Sequence, residues 1–412
     1  MSTATRPRVL VAGAGVAGLE TLLALRALAG DRIDVTLLAP ELKFVNSSMS
    51  TAQPFAPRRV RGVRIENIAI ELRARWHRGT LDRVDHARRR AVTRDGDRLP
   101  YEMLVLAVGA RPGREWRSTD VLTFHGGNDG PDYELLLHRL DEGRVKRVGF
   151  VKPAGPSWPL PLYELALMTA ARCSAFGLSG VELSLFTPEE MPLGIFGKTA
   201  SVAVGRLLRD RGVAVHTSSY AVPSASGLLD ITPGERQVAI DRVVTVPSLV
   251  GPRLRGVPCD PEGFLQTDAH GRIVGVDGVF AAGDATTFPI KQGGVATQQA
   301  DAVAEAIATL VGVALDAQPF RPILREVLLT GGPARYLRAD ISGAAGDDST
   351  ISQDALWRPP DKLAGRYLAP FLASQVDRDA DVMPLDGHAI PVKRTLERPP
   401  PREYRSHTLA NR

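Results

Sequence analysis

The chain opens on two hydrophobic rhythms. Residues 8–12, RVLVA, are a short, nearly unbroken apolar run, the pattern of a parallel strand buried on both faces. Over 19–28 apolar residues recur at helical spacing, and 35–38 form a second short apolar run. Strand, helix and strand within about 30 residues predict a β-α-β unit. The rhythm returns at 147–151, 162–176 and 181–187, a second strand, helix and strand. Apolar runs at 103–108 and 279–282 predict two further strands, and a helix follows the second over 294–313. Residues 191–212 read as a loop and an amphipathic helix. Strands alternating with helices place the fold class as α/β, with two Rossmann-like units.

Three glycines sit where the first strand meets its helix: Gly13, Gly15 and Gly18, in the spacing G-x-G-x-x-G. Gly13 permits a tight turn, Gly15 lets backbone amides approach a pyrophosphate, and Gly18 lets helix and strand pack closely. Val16 and Ala17 complete the turn. The helix N-terminus adds unpaired N–H groups and the positive end of a dipole. The acid that binds an adenosine ribose usually ends the second strand. Ala39 stands there, so Glu41 is the nearest candidate, with a solvated loop acid as its plainer reading. Leu81 is counted among the cofactor contacts.

Composition narrows the class. The chain has 412 residues, 44% hydrophobic and 24% charged, which is globular rather than disordered. The formal net charge is +5, and only seven of the 51 basic residues are lysine. The arginines are scattered, and the densest groups (Arg58, Arg59, Arg61, Arg64 and Arg88, Arg89, Arg90) are not interleaved with aromatics. They read as solvated charges, and no nucleic-acid partner is expected. The two cysteines, Cys173 and Cys259, lie far apart without C-x-x-C spacing. That excludes a redox dithiol and a zinc site of ordinary spacing, so no metal is expected, and it suits a reducing cytoplasm. No apolar run reaches the roughly 18–20 residues of a membrane span. A cytoplasmic protein is expected, with peripheral membrane contact left open.

Two more segments carry chemistry. AVGARP at 107–112 ends the third strand at Gly109, with Arg111 beyond, and VFAAGD at 279–284 ends the last one at Gly283 and Asp284. With GAGVAG at 13–18, these segments resemble the pyridine nucleotide–disulfide oxidoreductase superfamily of two-domain flavoproteins. The resemblance implies FAD as cofactor, with Asp284 on its ribityl chain; an acceptor-only carboxylate suits a row of hydroxyl donors. KQGGVATQQA at 291–300 is similar to the same stretch of type II NADH dehydrogenases and sulfide:quinone oxidoreductases. There the helix start points at the pyrimidine side of the flavin, where reduction places negative charge. That assigns Lys291, Gly293 and Gly294 to the flavin, with Gln298 as a pocket candidate.

The middle unit departs from the pattern. Its strand-to-helix loop reads KPAGPSWPLP, with Pro153, Gly155 and Trp158 where the family has glycines. Proline has no N–H to give a phosphate, and tryptophan prevents close helix–strand approach. Trp158 either caps the sheet or shapes the donor pocket. Glu164, in YELA, matches a glutamate that in the dehydrogenase relatives faces nicotinamide and flavin; the plainer reading is a first-turn acid on the helix dipole. Glu189 and Glu190 after the next strand favour NADH over NADPH if a nicotinamide binds.

The expected organisation is an FAD domain from 1–120 and 256–320, a second, degenerate NAD(P)-like domain over 121–255, a C-terminal interface region over 321–375 and a mobile tail over 376–412. Leu363, Tyr367, Leu368 and Phe371 are expected to share one helix face. A homodimer stays open. The function expected is an FAD-dependent oxidoreductase taking two electrons from a small donor, with NADH a candidate, to a quinone or other small acceptor. The alternatives are an FAD-binding protein of the same fold that does not use NAD(P)H, and an enzyme like the sulfide:quinone oxidoreductases. Lys291 and Glu164 are the candidate catalytic residues.

Overall fold

A computed structural model describes residues 6–56, 62–114, 116, 118–127, 129–224, 227–341 and 348–378. Its α-helices are α1 (Val16–Ala29), α2 (Ile65–Glu71), α3 (Gly130–Asp141), α4 (Leu160–Ala175), α5 (Lys198–Asp210), α6 (Gly293–Leu310) and α7 (Leu368–Arg378). Two five-stranded parallel sheets organise them. The first runs in the order Val279–Ala281, Met103–Leu106, Arg8–Ala12, Asp34–Leu38, Arg75–His77. The second runs Val121–Thr123, Arg242–Thr245, Arg147–Val151, Glu182–Phe186, Val213–His216. This is the α/β architecture of two Rossmann-like units, the first assembled from both ends of the chain.

The unbroken apolar run of Arg8–Ala12 has a direct cause. Val9 and Val11 face a core shared with α1 and α6, while Leu10 and Ala12 face an antiparallel meander of Leu81–Asp85, Arg90–Thr93 and Arg98–Pro100. With both faces covered, each position must be apolar. The second sheet repeats the plan. Val148 and Phe150 pack toward α4, and Val151 packs toward a meander of Tyr220–Pro223, Leu228–Thr232 and Arg236–Ala239.

The glycine turn is fixed by packing. Gly13 has φ +111, and a Cβ there would enter the carbonyl of Ala107. A Cβ on Gly18 would enter the carbonyl of Gly13. Gly15 is different: no heavy atom lies within 4 Å of the space its Cβ would fill. Two of the three glycines therefore serve the turn and the helix–strand contact, and the third leaves room.

The C-terminal part differs from expectation. Ile323–Leu328, Arg335–Asp340 and Asp348–Ser352 form an antiparallel sheet that the sequence pattern did not reveal. Its Leu324, Leu328, Leu337 and Ala339 complete the core around α4 and α5. Leu363, Tyr367, Leu368 and Phe371 do face one core, that of α1 and α6, but they do not share a helix. Leu363 and Tyr367 belong to an irregular strap before α7, because Pro359, Pro360 and Gly365 break the helical pattern. Of the expected tail, 376–378 finish α7 and 379–412 lie outside the described residues.

Candidate functional site

One cleft of about 650 Å³ opens at the carboxyl ends of the first sheet's strands and reaches the middle sheet. The topology explains the place: strand order reverses beside Arg8–Ala12, so helices leave on opposite sides and a crevice remains. The cleft gathers the glycine turn (Gly13, Gly15, Val16 and Ala17) at the start of α1. Gly15 is the N-cap, with no side chain capping the helix, so the first amides of α1 are left for a ligand. Glu41 and Leu81 lie along the same floor, and Gly109 and Arg111 border it. Gly18 does not line the cleft; it holds α1 against the turn.

The last strand and α6 form the opposite wall. Gly283, Asp284, Lys291 and Gly293 line it, and Gly294 does not. Desolvation pushes the Asp284 carboxyl up, opposed by the charge of Lys291. Lys291 is 4% exposed, and burial pulls its ammonium down to about 8, against the charges of Asp284 and Asp260. Its Nζ donates to the Thr286 carbonyl and lies 3.8 Å from the centroid of the Phe264 ring. A cleft with vacant helix-end amides, a room-making glycine and a desolvated carboxylate suits a dinucleotide with a polyhydroxyl chain.

One part of the cleft wall was not legible in the sequence. Glu164 lies in the second turn of α4, past the reach of the helix N-terminus, fully buried, and does not itself line the cleft. Both of its oxygens accept from Lys362 Nζ, each at 2.6 Å, and it also takes the Thr51 hydroxyl at 2.7 Å and the Leu329 amide at 2.9 Å. Lys362 and Thr51 do line the cleft. Beside them stands Glu326, from Ile323–Leu328. Its Oε1 accepts from Gln292 Nε2 at 2.9 Å, while Oε2, equally buried, has no partner. Burial pushes this carboxyl up to about 7, with Lys362 and the Gln292 hydrogen bond pulling down and Glu164 pushing up. Gln292 also accepts the Val295 amide at 2.6 Å and so caps α6. Gln298 is elsewhere: it donates to the carbonyls of Gly294 and Ile323 and accepts the Ile323 amide, stitching the C-terminal sheet to α6.

Trp158 lines the cleft and meets the Phe196 ring edge-on at 6.0 Å, so it is both pocket wall and packing. The loop behind it offers few amides to a phosphate. Pro159 is the N-cap of α4 and Pro161 follows in its first turn, so two of the amides a phosphate would use do not exist. The Leu162 amide turns back to the Pro159 carbonyl at 2.9 Å, which leaves Leu160. The Pro156 carbonyl is tied to the Leu249 amide at 2.8 Å, fixing the loop to the cleft wall. Glu189 is also spoken for: it accepts from Tyr163 and Thr187 hydroxyls at 2.6 and 2.7 Å.

Cys173 is buried and Cys259 exposed, and neither is in a disulfide. Among the described residues there is no cluster of His, Cys, Asp and Glu fit to hold a metal. No helix there is long and apolar enough to cross a membrane.

Comparison with known proteins agrees with this architecture. The family model for pyridine nucleotide-disulphide oxidoreductases matches residues 1–129 and 165–300. The gap between the two matches contains the proline-rich loop and Glu164. The chain is 27% identical over 333 residues to the ferredoxin reductase component of chlorobenzene dioxygenase from Cupriavidus sp. (strain PS12), covering 73% of this chain and 74% of that protein. Among solved structures it resembles the sulfide:quinone oxidoreductase of Aquifex aeolicus, with a TM-score of 0.76, 18% identity and 90% of each chain covered. It also resembles NDH2 of Plasmodium falciparum, with a TM-score of 0.65, 11% identity, 84% of this chain and 92% of that one.

Proposed function

The chain belongs to the pyridine nucleotide-disulphide oxidoreductase family, and from that premise we propose that it is an FAD-dependent oxidoreductase passing two electrons to a quinone or another small acceptor. One observation carries the reading: the three fingerprint turns converge on a single cleft whose lining includes a buried lysine that faces two carboxyl groups. When bound, FAD supplies the two-electron chemistry. The chain's residues bind, orient and move protons. The α1 amides and Gly15 would hold the FAD pyrophosphate, and Asp284 would accept from its ribityl hydroxyls. Lys291 and the α6 N-terminus, which line the cleft, would hold the flavin and supply positive charge that favours its reduced state. Reducing a quinone takes up two protons. Glu326, titrating near neutrality with one oxygen unpartnered, is suited to hold a proton there, and the Lys362 ammonium to orient the acceptor oxygen.

A second reading concerns the donor. The prolines at the start of α4 and the pinned loop favour a donor other than a nicotinamide dinucleotide bound at the middle sheet. NADH remains the competing donor, as the family's usual one. The test is an anaerobic titration of the purified protein, following the flavin absorbance. With dithionite as the reductant and a soluble quinone added afterwards, the flavin should bleach and then recover. NADH should bleach it slowly or not at all. A bound flavin that dithionite bleaches but no quinone reoxidises would overturn the acceptor assignment and favour a non-catalytic FAD-binding protein. Prompt bleaching by NADH would overturn the donor reading.

A further inference from the structure

The middle sheet has a pocket of its own. A space of about 240 Å³ opens at the carboxyl ends of Val121–Thr123, Arg242–Thr245 and Arg147–Val151. The topology accounts for it. Arg147–Val151 has Glu182–Phe186 on one side and Arg242–Thr245 on the other, so strand order reverses there and a crevice is left, as beside Arg8–Ala12 in the first sheet. The antiparallel meander closes the outer side through Tyr220, Ala221 and Val222. No residue of α4 lines this pocket, so it does not draw on the proline-bearing start of that helix. Val246 and Pro247 line both the pocket and the cleft, and the two spaces lie back to back.

The pocket is one-sided in charge. Arg114 and Lys152 line it, and among the described residues no Asp or Glu does. Lys152 follows directly on the buried strand, its backbone fixed by an amide that donates to the Phe186 carbonyl at 2.9 Å. Its side chain is half-buried, and burial pulls the ammonium below its ordinary range, opposed by the charge of Glu189. Glu189 itself is held by the Tyr163 and Thr187 hydroxyls. Among the described residues the Lys152 ammonium has no hydrogen bond and no ion pair, and neither has the exposed Arg114 guanidinium. A desolvated charge without a partner costs free energy that a bound anion returns. Trp116 adds an apolar wall: it packs on the core of Val151, Phe186 and the meander and lines the same space. The volume lies below the roughly 300–1,000 Å³ of drug-sized sites, so the occupant is compact and is no dinucleotide.

We propose that this pocket is a binding site for a compact aromatic carboxylate, held by Lys152 and Arg114 through its charge and by Trp116 through its ring. The site stands behind the cleft wall and not in the cleft. It uses none of the glycine turns and neither Lys291 nor Lys362. The inference is therefore independent of the flavin seat and of the proposed acceptor.

The test is isothermal titration of the full-length protein with benzoate, benzamide and inorganic phosphate at about 0.1 M salt. Benzoate should bind once per chain with a Kd of about 1 mM or tighter. Benzamide keeps the ring without the charge, and phosphate the charge without the ring; each should bind at least about tenfold more weakly. Lys152→Met should weaken benzoate about tenfold or more, and Arg114→Gln about threefold. Lys152→Met removes an unpaired charge and keeps most of the apolar stem, so its thermal midpoint should equal or exceed that of the wild type. Arg114→Gln changes an exposed residue and keeps the test open if the first variant does not fold. Benzoate should also quench tryptophan fluorescence in the wild type, with the quenching lost in Trp116→Leu. No heat with benzoate up to about 10 mM, benzoate bound equally by wild type and both variants, or benzamide or phosphate bound as tightly as benzoate, would each overturn the proposal.

Discussion

Replacing Lys362 with methionine isolates the buried ion pair at the heart of the cleft. The side chains of Lys362 and Glu164 are 5% and 0% exposed, and both carboxylate oxygens lie 2.6 Å from Nζ. Removing one partner of a buried pair costs about 3–5 kcal/mol, because the other charge is stranded. Glu164 would keep the Thr51 hydroxyl and the Leu329 amide, and hydrogen bonds to a charged group contribute about 1.5–3 kcal/mol each. That places Lys362→Met at the low end, about 3 kcal/mol. Glu164→Gln with Lys362→Met removes both charges; the amide oxygen can still accept from the Leu329 amide while its NH2 donates to the Thr51 hydroxyl, so the double variant should lose only about 1 kcal/mol. The positive coupling between the two sites is then about 2 kcal/mol or more. The assay is urea unfolding of wild type, both single variants and the double variant, comparing midpoints at unchanged m-value. A Lys362→Met protein within about 1 kcal/mol of wild type, or strictly additive single effects, would refute a buried charge pair held as described.

The other expectations follow from single contacts. Gly15→Ala should fold with wild-type stability, since the space is open, yet retain flavin more weakly by about tenfold or more, measured as the flavin-to-protein absorbance ratio after dialysis. Gly18→Ala should instead lower the stability of the apo-protein by about 3 kcal/mol or leave it insoluble, because its Cβ enters the Gly13 carbonyl. Glu326 is a carboxyl raised from 4.5 to about 7, so the folded chain holds a proton that the unfolded chain has released between those values. Stability from this group falls as pH rises through that window and is level above it, by about 3 kcal/mol at most. Glu326→Gln should flatten the fall in a pH series of unfolding midpoints, and a series unchanged by the substitution would contradict the burial argument.

Much of the candidate site was legible because its chemistry is local. A pyrophosphate seat needs glycines at fixed offsets from a strand and a helix, so GAGVAG announces itself within six residues. AVGARP and VFAAGD likewise carry their turns in their own sequence, and the structure brings all three to one cleft. The proline-rich loop was equally readable, since a missing N–H is a property of the residue itself. Gln298 had no such signal: polar residues on an apolar helix look alike until their partners are known, and its partners are strand backbone groups 25 residues away.

The C-terminal half of the site had no sequence signature at all. Lys362 lies 198 residues from Glu164, and Glu326 meets Gln292 across 34. Neither pair shares a motif, and lysine and glutamate are ordinarily surface residues. The sequence by itself determined the two α/β units, the glycine turns, the family and the prolines that stand where the second unit's phosphate turn would offer amides, because each depends on backbone geometry within one short segment. Only the tertiary structure decided that Glu164 is a buried counter-ion instead of a cleft-facing acid, and that a strap from the far end delivers the cleft lysine. Burial creates those roles, and it is a property of how the elements pack and not of any residue's neighbours along the chain.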